Sequence, residues 1–140
     1  MNCSKKVMYS EIKDWFFISF SSGFKKPEIV CSAALGIEHV NQIPDSAIDA
    51  SSQYNTYYGP KRARLRLVTQ GSFIGGWSPK SSNTGVWIEF DLAENTKVTG
   101  IATQGRDNAD WWVTSYWLSF RVKGGSYESY NNGYVSNISV

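Results

Sequence analysis

Apolar and polar residues alternate most regularly between positions 86 and 122. Val86, Ile88, Phe90 and Leu92 take every second place, with Trp87, Glu89 and Asp91 between them. A period of two places one set of side chains on one face of a strand. A polar, turn-like segment at 93–97 separates this run from a second, apolar and β-branched, at 98–103. Alternation returns over 113–122, with Tyr116, Leu118, Phe120 and Val122 on one face. Three such runs joined by short connections predict an antiparallel meander. Between the second and third runs lies the polar segment 104–110, followed by Trp111 and Trp112.

The rest of the chain carries weaker versions of the same pattern. Ala63, Leu65 and Leu67 alternate with Arg64 and Arg66, which predicts a strand with one polar face. Residues 33–37 are a short apolar run, 39–45 a loop, and 46–52 a short strand or turn. Residues 53–60 form a loop with Tyr54, Tyr57 and Tyr58, closed by Gly59-Pro60. Residues 70–85 are a long connection rich in turn formers, among them Gly71, Gly75, Gly76, Pro79 and Gly85. Gly124-Gly125 suits a hairpin turn between strand-like residues, with strand fragments at 127–130 and 134–140. No helical periodicity follows residue 40 and no internal repeat is present. The expected class is all-β, a sandwich or barrel.

Composition narrows this picture. At 140 residues, 41% of them hydrophobic, the chain fits one domain with a real core. Five of the fourteen basic and three of the twelve acidic side chains fall in residues 1–30, leaving nine of each in 31–140. The net +2 therefore belongs to the first segment, and the remainder is neutral. A neutral module does not fit a general nucleic-acid binder. No stretch of about 18 apolar residues is present, so no transmembrane helix is expected. Residues 1–30 are expected to be an irregular leader or a short helix. Their apolar block Trp15-Phe16-Phe17-Ile18-Ser19-Phe20 is short, and Glu11, Lys13 and Asp14 interrupt its approach, so the secretion-signal reading is the poorer one. Cys3 and Cys31 lack the spacing of a zinc site and are either two free thiols or one bridge.

No combination of acid, base and nucleophile stands out, which directs attention to binding rather than catalysis. His39 is the only histidine, and no nucleophile-elbow motif accompanies it. Asp107, Asn108 and Asp110 supply too few oxygens for a calcium site, which needs six to eight. No metal or cofactor is called for. Asn2-Cys3-Ser4 and Asn137-Ile138-Ser139 are glycosylation sequons with meaning only in a secreted chain.

Several blocks, in order, resemble the discoidin domain, also called the coagulation factor V/VIII type C domain. They are Cys31 with Ala34-Leu35-Gly36-Ile37-Glu38, Ile43-Pro44-Asp45-Ser46-Ala47-Ile48, Ala50-Ser51-Ser52 and Ala63-Arg64-Leu65. They continue with Gly75-Gly76-Trp77-Ser78-Pro79, Trp87-Ile88-Glu89-Phe90-Asp91-Leu92, Thr99-Gly100-Ile101-Ala102-Thr103-Gln104-Gly105-Arg106 and Trp112-Val113-Thr114-Ser115-Tyr116. The resemblance covers about residues 31–130 and sets a boundary between a leader, 1–30, and a discoidin domain, 31–140. It implies a β-sandwich or distorted jelly-roll barrel with loops projecting from one end. Relative to the family pattern the domain is expected to lack its last strands and the cysteine that would pair with Cys31. Glu89 stands where the family commonly has Gln, and Lys123-Gly124-Gly125-Ser126 replaces an Asp-Gly hairpin.

Mapped onto the family's loops, the first projecting loop is 53–60, with Tyr54, Tyr57 and Tyr58 as contact residues and Lys61 and Arg62 beside them as cations. Tyrosine at a loop tip gives a large contact area at low entropy cost; the alternative is ordinary loop packing. The second loop is 77–85, with Trp77 in the core and Lys80 as the candidate contact. The third is 106–111, with Arg106, Asp107, Asn108 and Trp111. Trp112 falls at the family's aromatic position, which the resemblance implies is core; Trp111 falls where relatives usually have a polar residue, and strand parity sets the two on opposite sides. The resemblance implies a non-enzymatic extracellular adhesion or recognition module. Its partner is expected to be an anionic phospholipid membrane surface, a cell-surface glycan or a matrix protein such as collagen. The alternative is a truncated structural fragment of a larger multidomain adhesion protein, without autonomous binding.

Overall fold

The computed structural model describes residues 19–22, 35–82, 85–93 and 98–136 of the chain. Cys3, Cys31, Asn2, Asn137, most of the 1–30 segment and positions 94–97 of the expected turn lie outside the described residues. The strands are β1 (Ser19–Ser22), β2 (Ile48–Ala50), β3 (Ile88–Phe90), β4 (Val98–Ala102), β5 (Ser115–Phe120) and β6 (Glu128–Ser136). Three short 3₁₀ turns, Asp45–Ala47, Thr56–Tyr58 and Pro60–Arg62, link the early elements. No α-helix occurs among the described residues, and none of their helical turns is long and apolar enough to cross a membrane. The all-β class expected from the pattern is the class observed. The described strands do not close into a barrel.

Among the described residues the strand pairings are antiparallel and two-stranded: β1 with β4, β2 with β3, and β5 with β6. This corrects the meander expected for residues 86–122. Its three runs do form β3, β4 and β5, but each takes a different partner. Period-two alternation specifies which face is buried, not which neighbour supplies the ladder hydrogen bonds. β4 is claimed by β1, with Phe20 opposite Ile101, so a strand stands at 19–22 where an irregular leader or short helix was expected. The hairpin at Gly124-Gly125 is formed. Gly125 N–H donates to Val122 O at 2.9 Å, and Gly124 sits at φ +79°, a conformation open to glycine at little cost.

The core is gathered from the alternating positions. Val86, Ile88, Phe90 and Leu92 are all buried, and Ile48 pairs directly with Phe90 across β2 and β3. Among the described residues, Trp77, Phe90, Ile37 and Ile88 are the largest fully buried side chains. Each such burial is worth roughly 1.5–3 kcal/mol. Trp77 also satisfies its polar edge by donating from Nε1 to Ser52 O at 2.9 Å. On β5, Tyr116 and Leu118 face inward as expected, but Val122 lies past the strand end and is exposed. Burial raises the Tyr116 hydroxyl above its ordinary pKa.

The strand expected at 63–67 does not form. Arg66 has φ +61°, a left-handed residue that interrupts any extended run. Arg64 does not line a solvated face. Its guanidinium is buried, donating to Ile37 O at 2.6 Å and pairing with Asp45 at 2.6 Å. A buried cation needs partners of this kind to be tolerated. The chain therefore turns at 64–67 and enters an irregular region that carries most of the candidate site.

Candidate functional site

Three loops meet at this region. The first is the tyrosine loop, 53–60. Asn55 opens its 3₁₀ turn by accepting from Tyr57 N–H at 2.8 Å. Tyr54 N–H donates to Ser78 O at 2.8 Å, and Tyr58 O accepts from Ser78 N–H at 3.2 Å. The backbone is thus fixed while the Tyr54 and Tyr57 rings stay outside and Tyr58 is half-buried. Tyr54 is 62% exposed and Tyr57 42%, with Tyr54 and Tyr58 edge to face at 5.5 Å.

The second loop is a tight hairpin at 69–75. Gln70 and Phe73 exchange backbone hydrogen bonds at 2.8 and 3.1 Å around Gly71, whose φ of +59° makes the reversal. Phe73 is left 45% exposed and meets Tyr57 edge to face at 5.4 Å. Ile74 N–H donates to Tyr57 O at 3.1 Å, so the tyrosine loop and the hairpin are joined by backbone as well as by rings.

The third loop, 104–111, is closed on itself by Arg106 N–H donating to Trp111 O at 2.8 Å. Gly105 permits this closure, since a Cβ there would meet Trp111 O at 3.0 Å and Trp112 Cβ at 3.2 Å. The Arg106 guanidinium lies 5.1 Å from the Trp111 ring centroid and donates from Nε to Asn108 Oδ1 at 2.5 Å. A cation over an indole face at this distance is attractive. Trp111 is 49% exposed. This loop reaches the hairpin through Asp107, whose carboxylate accepts the Thr69 N–H and the Thr69 hydroxyl, each at 2.7 Å. Burial pushes the Asp107 carboxyl upward, but the Thr69 hydrogen bonds, its own N–H and Arg106 outweigh it and hold the pKa below the usual carboxylate value.

The expected site residues thus divide. Tyr54, Tyr57, Tyr58, Arg106, Asp107, Asn108 and Trp111 sit on loops bonded into one surface. Lys61 is exposed at the foot of the tyrosine loop, where it lines a cleft of about 340 Å³ with Asp45, Gln53 and Thr56. Lys80 is exposed and tied by its N–H to Ser52 Oγ at 3.2 Å. Arg62 is a correction: it does not face solvent. It is buried, and its guanidinium donates to Ile74 O at 2.5 Å, Val68 O at 3.0 Å and Phe73 O at 3.4 Å, clamping the hairpin from below. Burial lowers its pKa, opposed by Asp107 and Asp45.

Trp112 is a second correction. It is 36% exposed rather than inside, because 111–114 is not a strand and parity does not apply there. Val113 takes the buried place instead. The hairpin at 69–75 is not among the loops expected from the sequence; in the expected loop at 77–85, Trp77 is buried in the core. The available signal was Phe73 itself, a large aromatic close to Gly71 within a connection rich in turn formers. Among the described residues, no three His, Cys, Asp or Glu side chains gather into a metal set.

The F5/8 type C domain family model matches residues 47–139, most of the chain and all three loops. No solved structure matches.

Proposed function

The chain belongs to the F5/8 type C, or discoidin, family of binding modules for phospholipid, carbohydrate or protein, and from that premise we propose that it is an extracellular recognition module that docks on anionic phospholipid through its three joined loops. One observation carries the reading: Tyr57, Phe73 and Trp111 are all exposed on loops held together by hydrogen bonds and ring contacts. Exposed aromatics on a fixed surface supply apolar area that water would otherwise cover. Arg106, stacked on Trp111, brings a cation to the depth at which the indole would enter a headgroup layer. Lys61 adds a second positive charge near the tyrosine loop.

Sedimentation with phosphatidylcholine vesicles, with and without phosphatidylserine, tests this. Binding is expected only with the anionic lipid. Trp111→Ala is expected to cost about 2 kcal/mol, roughly 30-fold in affinity. Unchanged binding in that variant removes Trp111 from the reading. Signal on a glycan array or on collagen without vesicle binding replaces the lipid with that ligand. A chain that shows a cooperative melt yet binds none of these supports a purely structural role.

A further inference from the structure

Asp107 joins two loops that are 38 residues apart in sequence at this bond. Both its carboxylate oxygens go to one residue: Oδ2 accepts the Thr69 N–H and Oδ1 the Thr69 hydroxyl, each at 2.7 Å. The Thr69 hydroxyl oxygen in turn accepts Gly75 N–H at 3.1 Å, so the bond reaches both legs of the hairpin that carries Phe73. The seat is shaped for this carboxylate. A Cβ on Gly75 would stand 2.6 Å from Asp107 Oδ1 and 2.5 Å from Leu67 O. On its own side, Asp107 follows Arg106, whose N–H closes the loop onto Trp111 O at 2.8 Å. The path from Phe73 to Trp111 is therefore a run of short bonds: hairpin, Thr69, Asp107, closed loop.

We propose that Asp107 is a positioning residue that latches the Phe73 hairpin to the Trp111 loop, so that the two aromatics meet an anionic lipid surface as one preordered face. This rests on the lipid-docking reading above. Without the latch, each loop is ordered separately at the moment of binding, and that cost is subtracted from what its aromatic contributes. With the latch, the ordering is complete beforehand. The carboxylate needs no contact with lipid to have this effect; it acts through Trp111 and Phe73.

A double-mutant cycle on the full chain separates this from general stabilisation. The probe is a phosphatidylcholine vesicle containing phosphatidylserine, and affinity is read alongside a thermal melt. Asp107→Ala is expected to weaken binding about tenfold in the otherwise unchanged chain, but less than about twofold once Trp111→Ala and Phe73→Ala are both present. Thr69→Val is expected to reproduce part of the loss, and Thr69→Ser, which keeps the hydroxyl and the N–H, to restore it. Independently of lipid, the Thr69 amide proton resonance is expected to follow the Asp107 titration. An equal loss from Asp107→Ala with and without the aromatics overturns the latch, as does no loss, a Thr69→Ser variant no better than Thr69→Val, or a Thr69 resonance indifferent to that titration. If Trp111→Ala and Phe73→Ala themselves leave vesicle binding unchanged, the lipid reading falls and the latch with it. Large effects of both aromatics with an additive Asp107 remove the latch alone.

Discussion

Glu89 and Arg121 bridge two strand pairs, the Arg121 guanidinium donating to Glu89 Oε1 at 2.9 Å while the Tyr127 hydroxyl donates to Oε2, also at 2.9 Å. Glu89 lies on β3, and Arg121 and Tyr127 flank the turn between β5 and β6. The guanidinium also stacks 4.6 Å from the Tyr127 ring centroid. Both carboxylate oxygens are occupied, so the hairpin has a polar anchor on the β2–β3 pair. Arg121 is 39% exposed, which screens the charge. Glu89→Ala is therefore expected to cost about 1–2 kcal/mol rather than the full value of a buried pair. Urea unfolding checks this: the midpoint should fall while the m-value holds.

Lys61 and Arg62 are adjacent in sequence but should respond oppositely to truncation. Arg62→Met leaves the carbonyls of Ile74, Val68 and Phe73 without their donor and is expected to cost about 2–4 kcal/mol of stability. Lys61→Ala should change stability by less than about 0.5 kcal/mol. Its effect should appear instead in vesicle binding, at about 1 kcal/mol in low salt, shrinking as salt rises. Thermal melts and salt-dependent sedimentation together read both residues. A stable Arg62→Met variant would contradict the clamp.

The same pair shows how far the sequence could be read. Alternation identified β3 and its buried face, and the matched blocks identified the family. What residue type could not convey was the destination of each polar group. Arg62 and Arg64 look like solvated cations until the carbonyls and the carboxylate that receive them are in place. Strand pairing was hidden for a related reason, since β1 and β4 are distant segments with no local mark of each other. The family's aromatic position implies a buried Trp112 and parity sets it opposite Trp111, but the loop closure between Arg106 and Trp111 replaces the pleat on which parity depends. Phe73 was hidden because the many turn formers at 70–85 do not say which of them makes the reversal that presents a ring.

Stability should fall at both ends of the pH range for separate reasons. The Asp107 carboxyl is lower in the folded chain than its ordinary value of 3.8. Its contribution is therefore complete above that value and is lost as pH falls through the lower, folded one. The Tyr116 hydroxyl is raised above 10.0 by burial, so its contribution is complete below 10.0 and is lost as pH rises through the higher, folded one. Asp107→Asn should flatten the acid limb of a stability profile, and Tyr116→Phe the alkaline limb. Profiles whose limbs match the unmodified chain would show that other groups dominate.

Gly75 and Gly124 are predicted to differ sharply in their tolerance of a methyl group. Gly124 has φ +79° but open space around it. Gly124→Ala meets only the left-handed backbone preference, about 1 kcal/mol, partly offset by a less flexible unfolded chain. Gly75 has no positive φ, but its added Cβ would stand 2.5 Å from Leu67 O and 2.9 Å from Thr69 N, which are backbone atoms that no rotamer change can move aside. Gly75→Ala is expected to cost about 2–3 kcal/mol by overpacking. It should also displace Asp107 Oδ1, which would lie 2.6 Å from the new carbon. Vesicle affinity should consequently drop for Gly75→Ala even at a temperature where the variant is fully folded, and should hold for Gly124→Ala. Equal melting temperatures and equal affinities for the two variants would contradict both the close approach at Gly75 and its link to the binding face.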